Sequence, residues 1–243
     1  MYIIKLDAID STNSYLRAMT SIKPPKDFTV VVTEHQTDGR GQMGTNWQTE
    51  KGKNLTASVF KKLNGFKVEC QFYISMVVSL SICKALKQFQ IPNLHIKWPN
   101  DILSADRKLC GILIENVIKH NQFQGSILGF GLNVNQKQFD ELPQASSMSL
   151  LTGRIYDRDE VLSNILEQLQ LYFRLLDSQE YDNIKSEYEA LLFRKGKPST
   201  FRTRDNETFT GLIKGVTDIG KLKVWTEDDI IKKFDLKEVT LLY

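Results

Sequence analysis

The chain has 243 residues, 41% of them apolar and 25% charged, which is the balance of a globular protein able to bury a sizeable core. Its formal net charge of +3 is too small to argue for nucleic acid, and no run of five or six like charges forms an interaction tail. Cys70, Cys83 and Cys110 are odd in number and widely spaced, which excludes a disulfide framework and a CxxC metal site, so free thiols in a reducing cytoplasm are expected.

The opening MYIIKLDAID lacks a signal-peptide layout, and residues 2–6 read as a strand. DSTNSYLRAM, 10–19, reads as a helix capped by Ser11 or Thr12, with Leu16 and Met19 on one face. FTVVVTE, 28–34, is β-branched and strand-like. GRGQMG, 39–44, follows it, and NLTASVF, 54–60, is the next strand. Residues 69–89 are apolar nearly all round, as in a buried helix. Within them, 72–86 carries Ser75, Ser79, Ser81 and Lys84, so it is expected to be too short and too polar to span a membrane.

LHIKW, 94–98, is a strand that Pro99 should stop, and 102–115 reads as a hairpin turning near 105–108. SILGFGLNV, 126–134, is a further strand. Asp157 and Glu160 resemble a capping box ahead of a long helix whose apolar residues, Val161 to Leu176, recur at helical spacing. A second helix is expected over 180–193. After the linker-like KGKP come five short strands near 198–204, 207–214, 221–226, 229–235 and 238–242, suggesting a small β-barrel. The expected organisation is an α/β domain over 1–193 and a β module over 195–243.

GRGQMG spells the dinucleotide fingerprint, which must open a helix facing a pyrophosphate. Here TNWQTEKGKNLTASVF follows, with no helical period, an interrupting Gly52, and no acidic residue placed for a ribose. The fingerprint therefore fails as a dinucleotide site. The segment is either a surface turn or an anion-binding loop, in which backbone N–H groups converge and Arg40 adds a planar cation.

Other polar islands stand at strand ends. KWPND, 97–101, is either an ordinary turn or a cation, an aromatic and a carboxylate at a site. Lys108 is a turn lysine or a site cation. GFGLNVN, 129–135, ends a buried strand with two glycines and two asparagines. His35, His95 and His120 show no zinc spacing, there is no nucleophile elbow, and Cys110 in mid-strand reads as core.

In order and spacing, DSTN (10–13), EHQTDGRGQMGTNW (34–47), KWPND, RKLCGILIE (107–115) and GFGLNVN resemble the biotin protein ligases, and FTGLIKGVTDIGKLKV (209–224) resembles that family's C-terminal barrel. The resemblance covers essentially the whole chain. It implies an α+β fold: a mixed β-sheet flanked by helices, like class II aminoacyl-tRNA synthetases and the biotin–lipoate ligases, with a small C-terminal SH3-like β-barrel. It also implies an enzyme that uses Mg2+ and ATP to make biotinyl-5′-AMP and then biotinylates a lysine of a biotin carboxyl carrier protein or domain.

By the same resemblance, Ser11, Thr12, Asn13, Gln36, Gly39, Arg40, Gly41, Gln42, Trp47, Lys108 and Gly111 bind biotin. Arg40, Gly44, Lys97, Trp98, Asn100 and Asn133 bind the nucleotide, and Lys108, Arg40 and Asp101 are catalytic. Asp101 is also the candidate for Mg2+ or for holding the incoming lysine. Cations and N–H donors suit this chemistry, because a carboxylate must approach an α-phosphate and both are negative. The loop departs from the family's GRGRRGR pattern: Gln42, Met43 and Thr45 replace arginines, so looser retention of the adenylate is expected. The catalytic region begins within the first ten residues, so no operator-DNA binding and no membrane partner are expected, while a homodimer is left open. A lipoate or octanoate ligase of the related fold is the rival enzyme, and a non-enzymatic binding module the rival class.

Overall fold

The computed structural model describes residues 1–63, 65–119, 122–140 and 142–243, the side chains of Met43, Lys119 and Gln122 aside. His120 lies outside the described residues.

The first strand is longer than the expected 2–6: β1 spans Tyr2–Ile9. Ser11 caps α1 (Thr12–Ile22) as expected, its hydroxyl accepting from Ser14 N–H. β2 (Thr29–Gln36) and β3 (Leu55–Lys62) follow, and then α2 (Gln71–Gln88). β4 (Leu94–Lys97) and β5 (Asp101–Ser104) lead into the hairpin of β6 (Arg107–Lys119) and β7 (Gln122–Leu132). A short α3 (Met148–Thr152), which lacks a clear sequence period, precedes α4 (Arg158–Asp177) and α5 (Tyr181–Ala190). The expected capping box at α4 is replaced by a simple cap: the Asp157 carboxylate accepts from Asp159 N–H rather than from Glu160.

These strands form one mixed sheet in the order β1-β2-β3-β7-β6-β5-β4, parallel only between β1 and β2. Alternation along the strands divides it into two faces. Leu55, Ala57 and Val59 of β3 and Leu128, Phe130 and Leu132 of β7 enter the main core, covered by α2 and α4. On the opposite face Val31, Phe60 and Ile127 pack under Leu16 of α1. Further along that second face the residues become small, with Ser58, Gly129 and Gly131, and the sheet is left with room above it.

By length and composition α2 is apolar enough to cross a membrane, contrary to the expectation from its serines. It is nevertheless a core helix: Ile74, Met76, Val77, Val78, Leu80 and Ile82 are fully buried. The same burial keeps the thiols of Cys83 and Cys110 protonated, pushing Cys83 up to about 12 and Cys110 well above its ordinary value.

Strands β8 (Pro198–Thr203), β9 (Thr208–Val216), β10 (Leu222–Thr226), β11 (Ile231–Phe234) and β12 (Val239–Leu242) form a second, antiparallel sheet in the order β11-β10-β9-β8-β12. The segment that reads as a linker is hydrogen-bonded on both sides. Phe193 N–H donates to Ile96 O of β4, and Gly196 N–H to Ile213 O of β9. One hydrophobic cluster runs through both sheets, Phe201 and Val224 joining Tyr188 and Leu192.

Candidate active site

The open part of the sheet holds a cavity of about 330 Å3. Its floor is bare because Gly111 of β6 and Gly131 of β7 are cross-strand partners. The indole of Trp47 lies on this floor: a Cβ at Gly111 would stand 3.0 Å from the ring, and one at Gly131 would overlap it. Trp47 Nε1 is buried without a partner, so a donor is held ready beside the cavity.

One end of the cavity is polar. Gln36 Oε1 accepts from Thr12 N–H at 2.9 Å and lies 3.1 Å from the Thr12 hydroxyl oxygen. Buried Ser58 lies 2.7 Å from Thr12 Oγ1 and 2.6 Å from Asn13 Oδ1. Asn13 spends both amide protons inside the protein, on Leu113 O and Glu115 Oε2. It therefore lines the cavity and fixes its shape, with no donor free for a ligand.

The glycine fingerprint forms a small hairpin that walls the cavity. Trp47 N–H donates to Gly39 O and Gly41 N–H to Thr45 O. A Cβ at Gly39 would overlap Trp47 O, and Gly44 has φ +81 at the tip. The glycines thus serve close strand approach and a left-handed turn rather than a helix N-terminus. Arg40, Gly41 and Gln42 line the cavity. The Arg40 guanidinium donates to Ser14 Oγ at 2.6 Å, tying the hairpin to α1.

At the other end stand Lys108 and Asp101, with Lys108 Nζ 2.7 Å from Asp101 Oδ1. The approach is too oblique for a hydrogen bond and leaves that buried oxygen without a donor. The ammonium also lies 5.6 Å over the Trp47 ring. A bulge explains how Lys108 gets there. The β5–β6 register shifts between Ile102 and Leu103, so Leu109 and Cys110 both enter the core while Lys108 emerges at the cavity.

Beyond these residues a second cavity of about 440 Å3 opens, sharing Asn46, Trp47, Asp101 and Lys108 with the first. Lys97 and Asn133, both expected at the nucleotide, line it. Asn133, however, donates its amide to Ser146 O, and so holds the wall in place. Tyr243 and Phe139 also line it, and Lys97 Nζ sits 4.6 Å from the Tyr243 ring. Neither aromatic carries a sequence signal that could have singled it out.

The other four residues expected at the nucleotide lie outside the second cavity, Arg40 lining only the first. Asn100 lines the first cavity, its amide donating to Ile112 O. Gly44 lines neither cavity, because its place is the hairpin tip. Trp98 donates its indole N–H to Gly220 O at 2.9 Å, which joins it to the second sheet rather than to the site. No group of three His, Cys, Asp or Glu comes together among the described residues. Asp101, with its orphaned oxygen, fits a Mg2+ that takes one protein carboxylate and fills its remaining positions from nucleotide phosphates and water.

Two joined cavities that meet at one lysine, on the open face of a mixed sheet, define an enzyme of two small substrates. The Biotin/lipoate A/B protein ligase family model matches residues 6–133, and the chain belongs to that family. The Bifunctional ligase/repressor BirA of Bacillus spizizenii is 29% identical over 95% of this chain and 71% of its own length. The Biotin--[acetyl-CoA-carboxylase] ligase of Mycobacterium tuberculosis is 27% identical over 87% of this chain and 79% of its own. Among solved structures, the biotin protein ligase from Aquifex aeolicus in complex with biotin and ATP superposes with a TM-score of 0.83, covering 99% of this chain and 98% of its own at 26% identity.

Proposed function

We propose that this chain activates the carboxylate of biotin with ATP and passes the biotinyl group to one lysine of a biotin carboxyl carrier protein or domain, as part of the acetyl-CoA carboxylase system or a related carboxylase. The observation that carries the reading is the meeting of the two cavities at Lys108. In the first, Thr12, Gln36 and Ser11 offer hydroxyl and amide groups to the ureido ring, and the glycine floor with Trp47 takes the apolar thiophane ring. The valerate chain then runs toward Lys108.

In the first step a biotin carboxylate oxygen bonds to the α-phosphorus of ATP, the bond from that phosphorus to the β-phosphate bridge breaks, and pyrophosphate leaves. Lys108 balances charge between two anions that otherwise repel, in a partly dry site where such a cation is worth most. Asp101 holds the ammonium in place. Lys97 and Arg40 add positive charge on either side. The base and ribose occupy the second cavity, against Asn133 and the wall it holds. Asp101 would be the protein ligand of a Mg2+, which when bound would supply charge neutralisation of the triphosphate. In the second step a lysine amine attacks the acyl carbon, the carbon–oxygen bond to AMP breaks, and the amine loses its proton. Asp101 is the carboxylate available in the first cavity to steer the incoming ammonium.

The division at 193–195 into a catalytic domain and an SH3-like barrel belongs to the same reading. Five antiparallel strands after 198 support it, as does the resemblance of 209–224. A cytoplasmic setting follows from ATP and a carboxylase partner. A lipoate ligase is disfavoured because a dithiolane offers nothing to the polar end at Thr12 and Gln36, where unpaired groups cost about 1–3 kcal/mol each. The test is ATP–pyrophosphate exchange. Exchange that requires biotin and ignores lipoate is expected, and exchange driven by lipoate, or none with either acid, refutes the reading.

A further inference from the structure

Glu115 lines neither cavity, yet it terminates the hydrogen-bond chain that reaches the polar end of the first. Its Oε2 accepts from Asn13 Nδ2 at 2.8 Å, and its Oε1 pairs with Arg17 at 3.4 Å. Leu113 O accepts from the same Asn13 nitrogen. Both neighbours on that side are acceptors only, so the orientation of the Asn13 amide is fixed: nitrogen toward Glu115, oxygen toward Ser58. An amide oxygen cannot donate. Ser58 must therefore spend its single proton on Asn13 Oδ1, 2.6 Å away. Its oxygen can then only accept, and the partner in reach is the Thr12 hydroxyl at 2.7 Å.

The consequence is a defined polarity at the cavity. Gln36 Oε1 already receives the Thr12 backbone N–H and stands 3.1 Å from the Thr12 hydroxyl against 2.7 Å for Ser58, so the hydroxyl proton is directed inward to Ser58, away from the ligand. Its lone pairs are left facing the open space. We propose that Glu115, acting through Asn13 and Ser58, is a positioning and specificity-determining residue that makes Thr12 an acceptor and so selects a ligand carrying an N–H donor at that end. The inference rests on the biotin reading, because a ureido ring brings such donors and a carboxylic acid with an apolar head does not. The chain is legible only in three dimensions: α1, β3 and β6 each contribute to it, and Glu115 reads in sequence as an ordinary strand-end acid.

The experiment compares biotin with a carbamate analogue in which one ureido N–H is replaced by a ring oxygen, using KM and kcat of pyrophosphate exchange. Wild type should favour biotin by on the order of a hundredfold or more, because a site built around an N–H rejects the analogue lacking it. Glu115→Leu and Ser58→Ala should each shrink that preference at least tenfold, chiefly through the KM for biotin. Glu115→Gln should restore it, because its amide oxygen can still accept from Asn13. Equal losses for both ligands in Glu115→Leu and Ser58→Ala, with the preference intact, would mean a merely structural role and overturn the proposal, as would a Glu115→Gln that behaves like Glu115→Leu. Failure of wild type to use biotin at all would instead sink the ligase reading and is seen before any variant is made.

Discussion

Gly111 and Gly131 face each other across β6 and β7, and the indole of Trp47 lies on the strip of bare backbone they make. Neither glycine has a positive φ, so what they supply is absence of volume. Gly131→Ala places a methyl group within the indole's present position. Overpacking of this kind costs about 1–3 kcal/mol. Part of this cost should appear as a lower thermal midpoint, and the KM for biotin should rise by up to about 150-fold. An unaltered KM would show that the ligand does not use the floor.

Lys108 is expected to be the residue whose loss is felt most in the rate. It stands between both cavities with Asp101 at 2.7 Å, and it is partly exposed, so the fold does not depend on it. Lys108→Ala should lower kcat for exchange by about 10²–10³, the usual cost of removing one preorganised charge stabiliser. Circular dichroism and the thermal midpoint should stay near wild type. Substantial exchange in a folded Lys108→Ala protein would remove the proposed chemistry from this lysine.

Gln42 borders the first cavity in a hairpin whose sole arginine, Arg40, is engaged with Ser14. One guanidinium is thus the hairpin's arginine contribution to the charge facing the adenylate. Gln42→Arg adds a charge-assisted donor, worth about 1.5–3 kcal/mol when well placed. The release of biotinyl-5′-AMP, followed by stopped flow, should slow by about tenfold or more. An unchanged or faster off-rate would mean that the hairpin does not hold the intermediate.

The thiols give a prediction independent of any ligand. Burial raises the pKa of Cys83 to about 12 and that of Cys110 well above its usual value, so at pH 8 both are protonated and enclosed. In the native protein iodoacetamide should modify only Cys70, which is partly exposed, and all three should react after unfolding in urea. Prompt native-state labelling of Cys110, read by peptide mass spectrometry, would contradict the burial of β6.

Much of this was legible in the sequence because it is local. Strand and helix positions follow from alternation and apolar period, and Ser11 announces itself as a helix cap. Ser11, Thr12 and Asn13 of DSTN reach the cavity because they sit at the start of α1, as Arg40, Gly41 and Gln42 do in the hairpin beyond β2. What the sequence conceals depends on register. The bulge opposite Ile102 that delivers Lys108 to the site has no composition signal, and neither has the pairing that sets Gly111 against Gly131. Asn13, Asn100 and Asn133 read as ligand contacts from their motifs, yet Asn13 spends both amide protons on Leu113 O and Glu115, and Asn100 and Asn133 each donate one bond to a backbone carbonyl. A polar side chain in a motif is as often what holds the site as what touches the substrate, and only the partners decide which.

Trp98 shows the same distinction and makes it measurable. The family resemblance places it at the nucleotide, but its indole N–H donates to Gly220 O in the turn between β9 and β10, and Gly220 packs so closely on Phe72 that a Cβ would overlap the ring. Glu189 supports the same joint by accepting from Val216 N–H at 2.9 Å. Trp98 thus fastens the second sheet to the first. Trp98→Phe keeps an aromatic ring and removes the donor, leaving the carbonyl of buried Gly220 unpaired. The loss should be about 1–3 kcal/mol of stability, read as a lower urea midpoint, while the KM for ATP stays within about twofold because no nucleotide contact is removed. A tenfold rise in that KM with an unchanged urea midpoint would return Trp98 to the nucleotide site.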